Sequence, residues 1–291
     1  MVFSAVRFCR REQRKPKQQN TMKAKTKKVR QYFGSLNEFQ KFINETKPIK
    51  ENVENGRLFS ESGSESFTGT PNFEAADEMI TAGYEDGLKA LKAVTADKTP
   101  KRASYDVYKS QIGFLPSVGD VVAGNPVNMN NVRKSVRATT KVLDIVVDST
   151  YSCRTDKEEI ERNAVEILTA VARLEKSGYR VGLHFIYGVQ HRTSRGTTSD
   201  EYSTFFILTL KKANQKLDLY RIAYPALHPS FFRRHCFAVF ERLNKIDRGI
   251  GRIVDDIHTR IAEINRSLSK AKFIKAPDGK TADEIVKIVT E

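Results

Sequence analysis

The sequence is short of cysteine, of histidine and of long apolar runs, and each shortage narrows what the chain can be. Its 291 residues contain three cysteines, Cys9, Cys153 and Cys236. That odd number, with no C-x-x-C or Cys/His metal spacing, argues against a disulfide framework or a structural zinc site and fits a reducing compartment. The five histidines, His184, His191, His228, His235 and His258, show neither H-x-x-x-H nor H-E-x-x-H spacing, so they read as structural or surface residues. G-x-S-x-G and G-x-G-x-x-G are absent. Gly279-Lys280-Thr281 imitates the end of a phosphate loop, but Ile274 stands where that loop needs its first glycine. No apolar run approaches the roughly 20 residues of a membrane helix, and the N-terminus lacks the apolar core of a secretory signal. A soluble, cytoplasmic protein with no membrane partner is expected.

Positive charge is present in excess and unevenly placed. The net charge is +15, and residues 1–30 hold 11 Lys/Arg against the single acid Glu12, which leaves +5 for the remainder. The segment carrying Arg7, Arg10, Arg11, Arg14, Lys15, Lys17, Lys23, Lys25, Lys27, Lys28 and Arg30 is expected to be a basic disordered arm, residues 1–31, able to neutralise nucleic-acid phosphates through counterion release. A merely solvated tail is the plain alternative, and Met22 offers a second start that would remove part of the arm. Residues 32–97 read as a small helical region. Ser35 with Glu38 forms a capping pair ahead of Leu36, Phe39, Phe42 and Ile43, and Asn72 caps a helix that Gly83 interrupts. Between these lies a long polar loop with one short strand expected around residues 65–68. Residues 98–141 alternate Pro, Gly and basic residues, and their apolar stretches 112–115 and 118–123 suggest a connector packed on the body. Arg133, Lys134, Arg137 and Lys141 within it extend the candidate nucleic-acid surface.

The most informative stretch begins at Val142. The run Val142-Leu143-Asp144-Ile145-Val146-Val147 ends in Asp148, and hydroxyls follow at Thr150 and Ser152, the pattern D-x-[S/T]-x-S at the tip of a buried strand. A carboxylate and two hydroxyls on one strand-end loop are hard oxygen donors suited to part of a divalent cation's shell. The same residues also suit a turn that caps the next helix. Thr155 to Glu158 reads as a capping box, followed by Ile160, Ala164, Ile167, Val171 and Leu174 at helical spacing, with Gly178 as the stop. Residues 179–188 and 202–210 read as strands. The loop between them is too short for a crossover helix, so an antiparallel edge hairpin is expected. His228-Pro229 opens a helix bearing Phe232, Cys236, Val239, Phe240 and Leu243, with Phe231 and Phe237 expected in the core. Ile250 to Leu268 reads as one longer amphipathic helix.

Strand, hydroxyl-rich loop, helix and strand together resemble the opening of a von Willebrand factor A-like domain. The resemblance covers roughly residues 142–291. It implies a doubly wound, mostly parallel α/β sheet whose D-x-S-x-S loop holds Mg²⁺ at the carboxyl edge, with an open position for an acidic side chain of a partner protein. Asp148, Thr150 and Ser152 match the first metal motif. Residues 213–229, where the family places a metal-contacting Thr, hold no Thr and no Gly. Lys272 to Gly279 resembles the third motif, which makes Asp278 a further candidate ligand. The whole chain also resembles an uncharacterised family of bacteriophage and prophage proteins, which would place it in a bacterial host cell. The function expected is non-enzymatic. The α/β domain would bind a protein partner, with or without Mg²⁺, while the arm contacts nucleic acid. One alternative is a non-sequence-specific nucleic-acid-binding protein of phage replication or packaging. Another is a Mg²⁺-dependent nuclease or phosphoryl-transfer enzyme using Asp148, Asp278 and Asp156, which wants more converging acids than the sequence supplies.

Overall fold

The computed structural model describes residues 29–53, 57–95, 105–134, 141–152, 154–192, 198–246, 254, 256–276 and 279–291. The first strand, β1 (Val29–Phe33), begins inside the segment expected to be a free arm, residues 1–31, and runs past its end. Helix α1 (Leu36–Glu45) starts as expected, with the Ser35 side chain accepting from the Glu38 N–H, and it buries Leu36, Phe39 and Ile43. After it come α2 (Glu65–Thr68), a helical turn where a strand was expected, α3 (Phe73–Ala82), capped by Asn72, and α4 (Glu85–Thr95). Gly83 between the last two has φ +84, and an added Cβ would strike the Tyr220 ring at 2.6 Å, so both conformation and space demand glycine there.

Residues 105–134 form a unit of their own. Strand β2 (Tyr105–Ser110), β3 (Leu115–Pro116), the short α5 (Val118–Val122) and β4 (Met129–Lys134) build a three-stranded antiparallel sheet in the order β2-β4-β3. Among the described residues this unit contributes to neither hydrophobic core cluster. The apolar stretches expected to pack on the body are exposed instead.

The main sheet has the order β1-β7-β6-β5-β8. Strand β5 (Val142–Asp148) leads through α6 (Lys157–Lys176) to β6 (Arg180–Arg192), which pairs with β5 in parallel, from Val142 opposite Arg180 to Asp148 opposite Ile186. The N-cap of α6 is Asp156, not the Thr155 expected, while Ile160, Ala164, Ile167, Val171 and Leu174 are buried at the expected spacing. Strand β7 (Thr198–Lys211) returns antiparallel to β6. The hairpin is not at the edge, because β1 adds to β7 in parallel, with Val29 opposite Thr204 and Phe33 opposite Leu208. Helix α7 (Leu219–Leu227) follows, then a π-helix (Phe231–Cys236) and α8 (Phe237–Leu243), where one helix from His228 was expected. The expected long helix to Leu268 is broken: Asp256 has φ 54, and the described part comprises a 3₁₀ turn at Ile257–Arg260, α9 (Ile261–Ile264) and another 3₁₀ turn at Arg266–Leu268. Strand β8 (Lys272–Lys275) pairs in parallel with the other side of β5, and α10 (Ala282–Thr290) closes the chain behind the Thr281–Glu284 capping box.

The result is a mixed α/β fold with a mostly parallel five-stranded sheet and a separate antiparallel one. Side chains alternate across the sheet. Ile145, Val147, Phe185, Tyr187, Phe206 and Leu208 face a thick helical layer in the larger core cluster. Val146, Ile186, Phe205 and Ile207 face the thin layer that includes Val254, Ile257, Ile261 and Leu268. Phe33, Leu36, Phe39, Ile43 and Leu91 share the larger cluster, so the N-terminal helices belong to the same core as the sheet.

Candidate functional site

Strand β5 is apolar from Ile145 to Val147, where it is covered on both faces, and it ends in a carboxylate that is also buried. Two neighbours flank it in parallel, with Asp148 level with Ile186 of β6 and Lys275 of β8. The connection through α6 goes to one side of β5, and β8 arrives on the other. Asp148 therefore stands at the carboxyl end of an interior strand with a parallel neighbour on each side.

The loop after it is tightly folded. The Thr150 N–H donates to Asp148 Oδ1 at 3.0 Å, an Asx turn. The Ser149 N–H donates to the Ile186 carbonyl at 3.1 Å, and the Gly188 N–H donates to Thr150 Oγ1 at 3.1 Å, so the loop climbs along β6 beyond the last ladder pair. Gly188 is bare because a Cβ there would meet the Phe205 ring at 2.4 Å. Ser152 Oγ accepts from the Arg154 N–H at 3.2 Å and begins the approach to α6. Asp148 and Thr150 are buried and Ser152 is half-buried, so the loop opens outward on the Ser152 side. Tyr151 packs edge-on against Phe232, and burial, together with the charges of Asp148 and Glu159, pushes its phenol well up. Asp278 lies outside the described residues. Asp156 sits at the N-cap of α6. Asp148, Thr150 and Ser152 are hard oxygen donors of the kind Mg²⁺ takes, with water completing the shell. Among the described residues no group of three or more His, Cys, Asp or Glu gathers as a metal site.

The candidate nucleic-acid residues divide. Arg7, Arg10, Arg11, Arg14, Lys15, Lys17, Lys23, Lys25, Lys27, Lys28 and Arg137 lie outside the described residues. Arg30 is not a free cation of an arm: its guanidinium stacks 4.4 Å from the Phe205 ring centroid, bonds Ser203 and pairs with Glu263 at 3.2 Å. Arg133 lies over the Tyr108 ring on β4, beside Lys134. Lys141 precedes β5 at the opposite end of the strand from Asp148, its carbonyl accepting from Arg180 N–H.

Two polar networks gave no sequence signal. On the thin-layer face, His184 bonds Thr209 at 2.9 Å and reaches Asp144 at 3.5 Å, and Thr209 bonds Tyr32 at 2.9 Å. The His184 contact holds the Asp144 carboxyl below its usual range, against partial burial, which raises it. Within the helical layer, Asp77, His235, Tyr224, Ser230 and His228 form a continuous chain, with contacts of 3.4, 3.1, 3.0 and 2.6 Å in that order. Beside it Arg234, fully buried, donates to Ser60 O, Thr68 Oγ1, Thr70 Oγ1 and Thr70 O, and Glu241 accepts from Ser60 N–H and Oγ–H. Burial pushes the Glu241 carboxyl up despite those bonds. The buried polar groups of this chain partner one another, and Arg234 and Glu241 tie it to the 60–70 loop, as a structural role requires. His184, His228 and His235 are engaged in this way, and the His258 ring packs against Phe273.

No helix among the described residues is long and apolar enough to cross a membrane. No curated protein and no solved structure gives a significant match. A family match does span nearly the whole chain, residues 13–286, and the protein belongs to the family described as Domain of unknown function (DUF7192).

Proposed function

We propose that the protein is a non-enzymatic binding protein in which a von Willebrand A-like sheet recognises a protein partner at the loop Asp148 to Ser152. One observation carries this reading: Asp148 ends an interior strand between two parallel neighbours, followed by two alternate hydroxyls. Asp148, Thr150 and Ser152 would hold Mg²⁺, whose remaining positions serve water or a partner's carboxylate. The carboxylate and Thr150 already serve the turn, and residues 213–229, which include α7, supply no Thr, so the ion is weakly held. The basic residues ahead of β1 add attachment to nucleic acid, in keeping with service to phage replication or packaging.

Asp148→Asn separates the cation site from a simple turn. The amide oxygen still accepts from Thr150 N–H, so the melting temperature changes little, while the charge that a divalent cation needs is gone. Calorimetry with MgCl₂ or MnCl₂ should give weak, saturable binding to the wild type, on the order of millimolar or tighter, and none to the variant. Equal heats from the two proteins would remove the metal. Partner binding that is indifferent to both EDTA and this substitution would remove the site itself.

A further inference from the structure

The unit formed by residues 105–134 carries most of the large apolar side chains that the described residues expose. Ile112 is 84% exposed, Val122 83%, Val118 74%, and Val107 and Phe114 66% each. They stand on a fixed scaffold. Lys109 pairs with Asp120, tying β2 to α5. Asn131 Nδ2 donates to Ser110 Oγ at 2.7 Å and to the Ile112 carbonyl. Gly113 lets the 112–114 turn lie on β4, since a Cβ would meet that of Met129 at 2.7 Å and the Asn130 carbonyl oxygen at 2.8 Å. The apolar side chains are thus held outward by hydrogen bonds and packing beneath them.

From these observations we infer that residues 105–134 are the self-association surface of the protein, and that the occupant is a second copy of the same unit. Three features select that occupant. Taking roughly 150–200 Å² for each large side chain, the exposed apolar area of the unit is on the order of 1,000 Å². A standard interface buries ~800 Å² on each side, so the unit carries enough apolar surface to supply one. Secondly, the unit holds Asp106 and Asp120 against Lys109, Arg133 and Lys134, a net +1 on a chain of net +15. Two copies therefore meet here with little repulsion, and the adjacent Arg133 and Lys134 alone offer far less to a phosphate backbone or an anionic lipid surface than the basic run ahead of β1. Thirdly, β4 is the middle strand, which leaves the six-residue β2 as an edge of the described sheet. Antiparallel pairing of β2 with its own copy is self-complementary about a two-fold axis, so it closes at a dimer, and it satisfies an edge that is otherwise prone to unlimited pairing. The cross-strand pair Val107 and Val132 lies on one face of that joined sheet.

Sedimentation of the full chain at moderate salt, from about 1 to about 100 µM, should show a monomer–dimer equilibrium. Ile112→Asp and Val122→Asp alter side chains that contribute almost nothing to the monomer core, so the circular dichroism melt of each diluted variant should match the wild type. Each should weaken dimerisation at least about tenfold, counted twice across a two-fold interface. Amides of residues 105–110 should gain hydrogen-exchange protection as concentration rises. A wild type that stays monomeric throughout would overturn the inference, and binding of that monomer to lipid vesicles would assign the surface to a membrane. A dimer equally strong in both variants, or one whose new protection lies elsewhere, overturns it as well.

Discussion

Acidification should weaken the fold through His228, well above the pH at which carboxylates titrate. The ring is enclosed by Tyr84 at 4.8 Å and Tyr224 at 5.6 Å between centroids, and Nδ1 accepts from the Ser230 N–H at 3.2 Å while bonding Ser230 Oγ at 2.6 Å. Burial above all, and then the charge of Lys157, pushes its pKa from the usual 6.5 down to about 4. A proton on Nδ1 would also face the fixed Ser230 N–H. The unfolded chain takes up a proton near pH 6.5 and the native one does not until about 4, so stability is complete above 6.5 and lost as pH falls through that window. The linkage relation gives a loss of about 1.4 kcal/mol by pH 5.5 and about 2.5 kcal/mol by pH 4.5. Buried His235, also pushed down, adds to the loss. Glu241 acts the other way: its carboxyl is raised, so the native state takes its proton first on acidification. Asp77 and Asp144 are lowered below 3.8 and add their losses only at lower pH. His228→Asn isolates the histidine, because the amide oxygen can replace Nδ1 as acceptor and the other groups remain. Urea titrations followed by circular dichroism at pH 7.5, 5.5 and 4.5 should show the variant less stable at pH 7.5 but losing less on acidification, by those amounts. Parallel pH profiles for the two proteins would refute the assignment.

Arg234→Lys should cost about 3–5 kcal/mol, since an ammonium cannot reach all four acceptors around Ser60, Thr68 and Thr70 and leaves some buried and unpaired. Equilibrium urea unfolding measures it, and a loss below about 1 kcal/mol would mean that the 58–70 loop is not held by this side chain. Removal of residues 1–28 takes away ten Lys/Arg and Glu12 without cutting β1, and should lower the slope of log K against log salt for duplex DNA by roughly 4 to 5 if half of those cations engage phosphates. Equal slopes with and without these residues would make the arm a bystander.

What could be read from the sequence was whatever local pattern alone decides. The apolar run to Asp148 has one stable home, between two parallel neighbours and two covered faces, and α1 and α10 announce their starts through Ser35/Glu38 and Thr281/Glu284. Strand β1 could not be found this way, because its partner, β7, lies about 175 residues along the chain and its sequence, Val-Arg-Gln-Tyr-Phe, continues the basic run before it. Helix α7 was hidden by Pro225, which normally signals a stop yet here sits in the last turn of the helix. The π-helix defeats a 3.6-residue period outright, since the wider turn moves Arg233, Arg234 and His235 inward along with Phe231 and Phe232. Such cations read as a solvated face until the acceptors that bury them, Ser60, Thr68, Thr70 and Phe67, arrive from a loop more than 160 residues earlier. The candidate site divides the same way. Spacing at the strand end singled out Asp148, Thr150 and Ser152, but only the neighbouring strand, through Ile186 and Gly188, shows the loop tied to β6 and the Thr150 hydroxyl already committed to the fold.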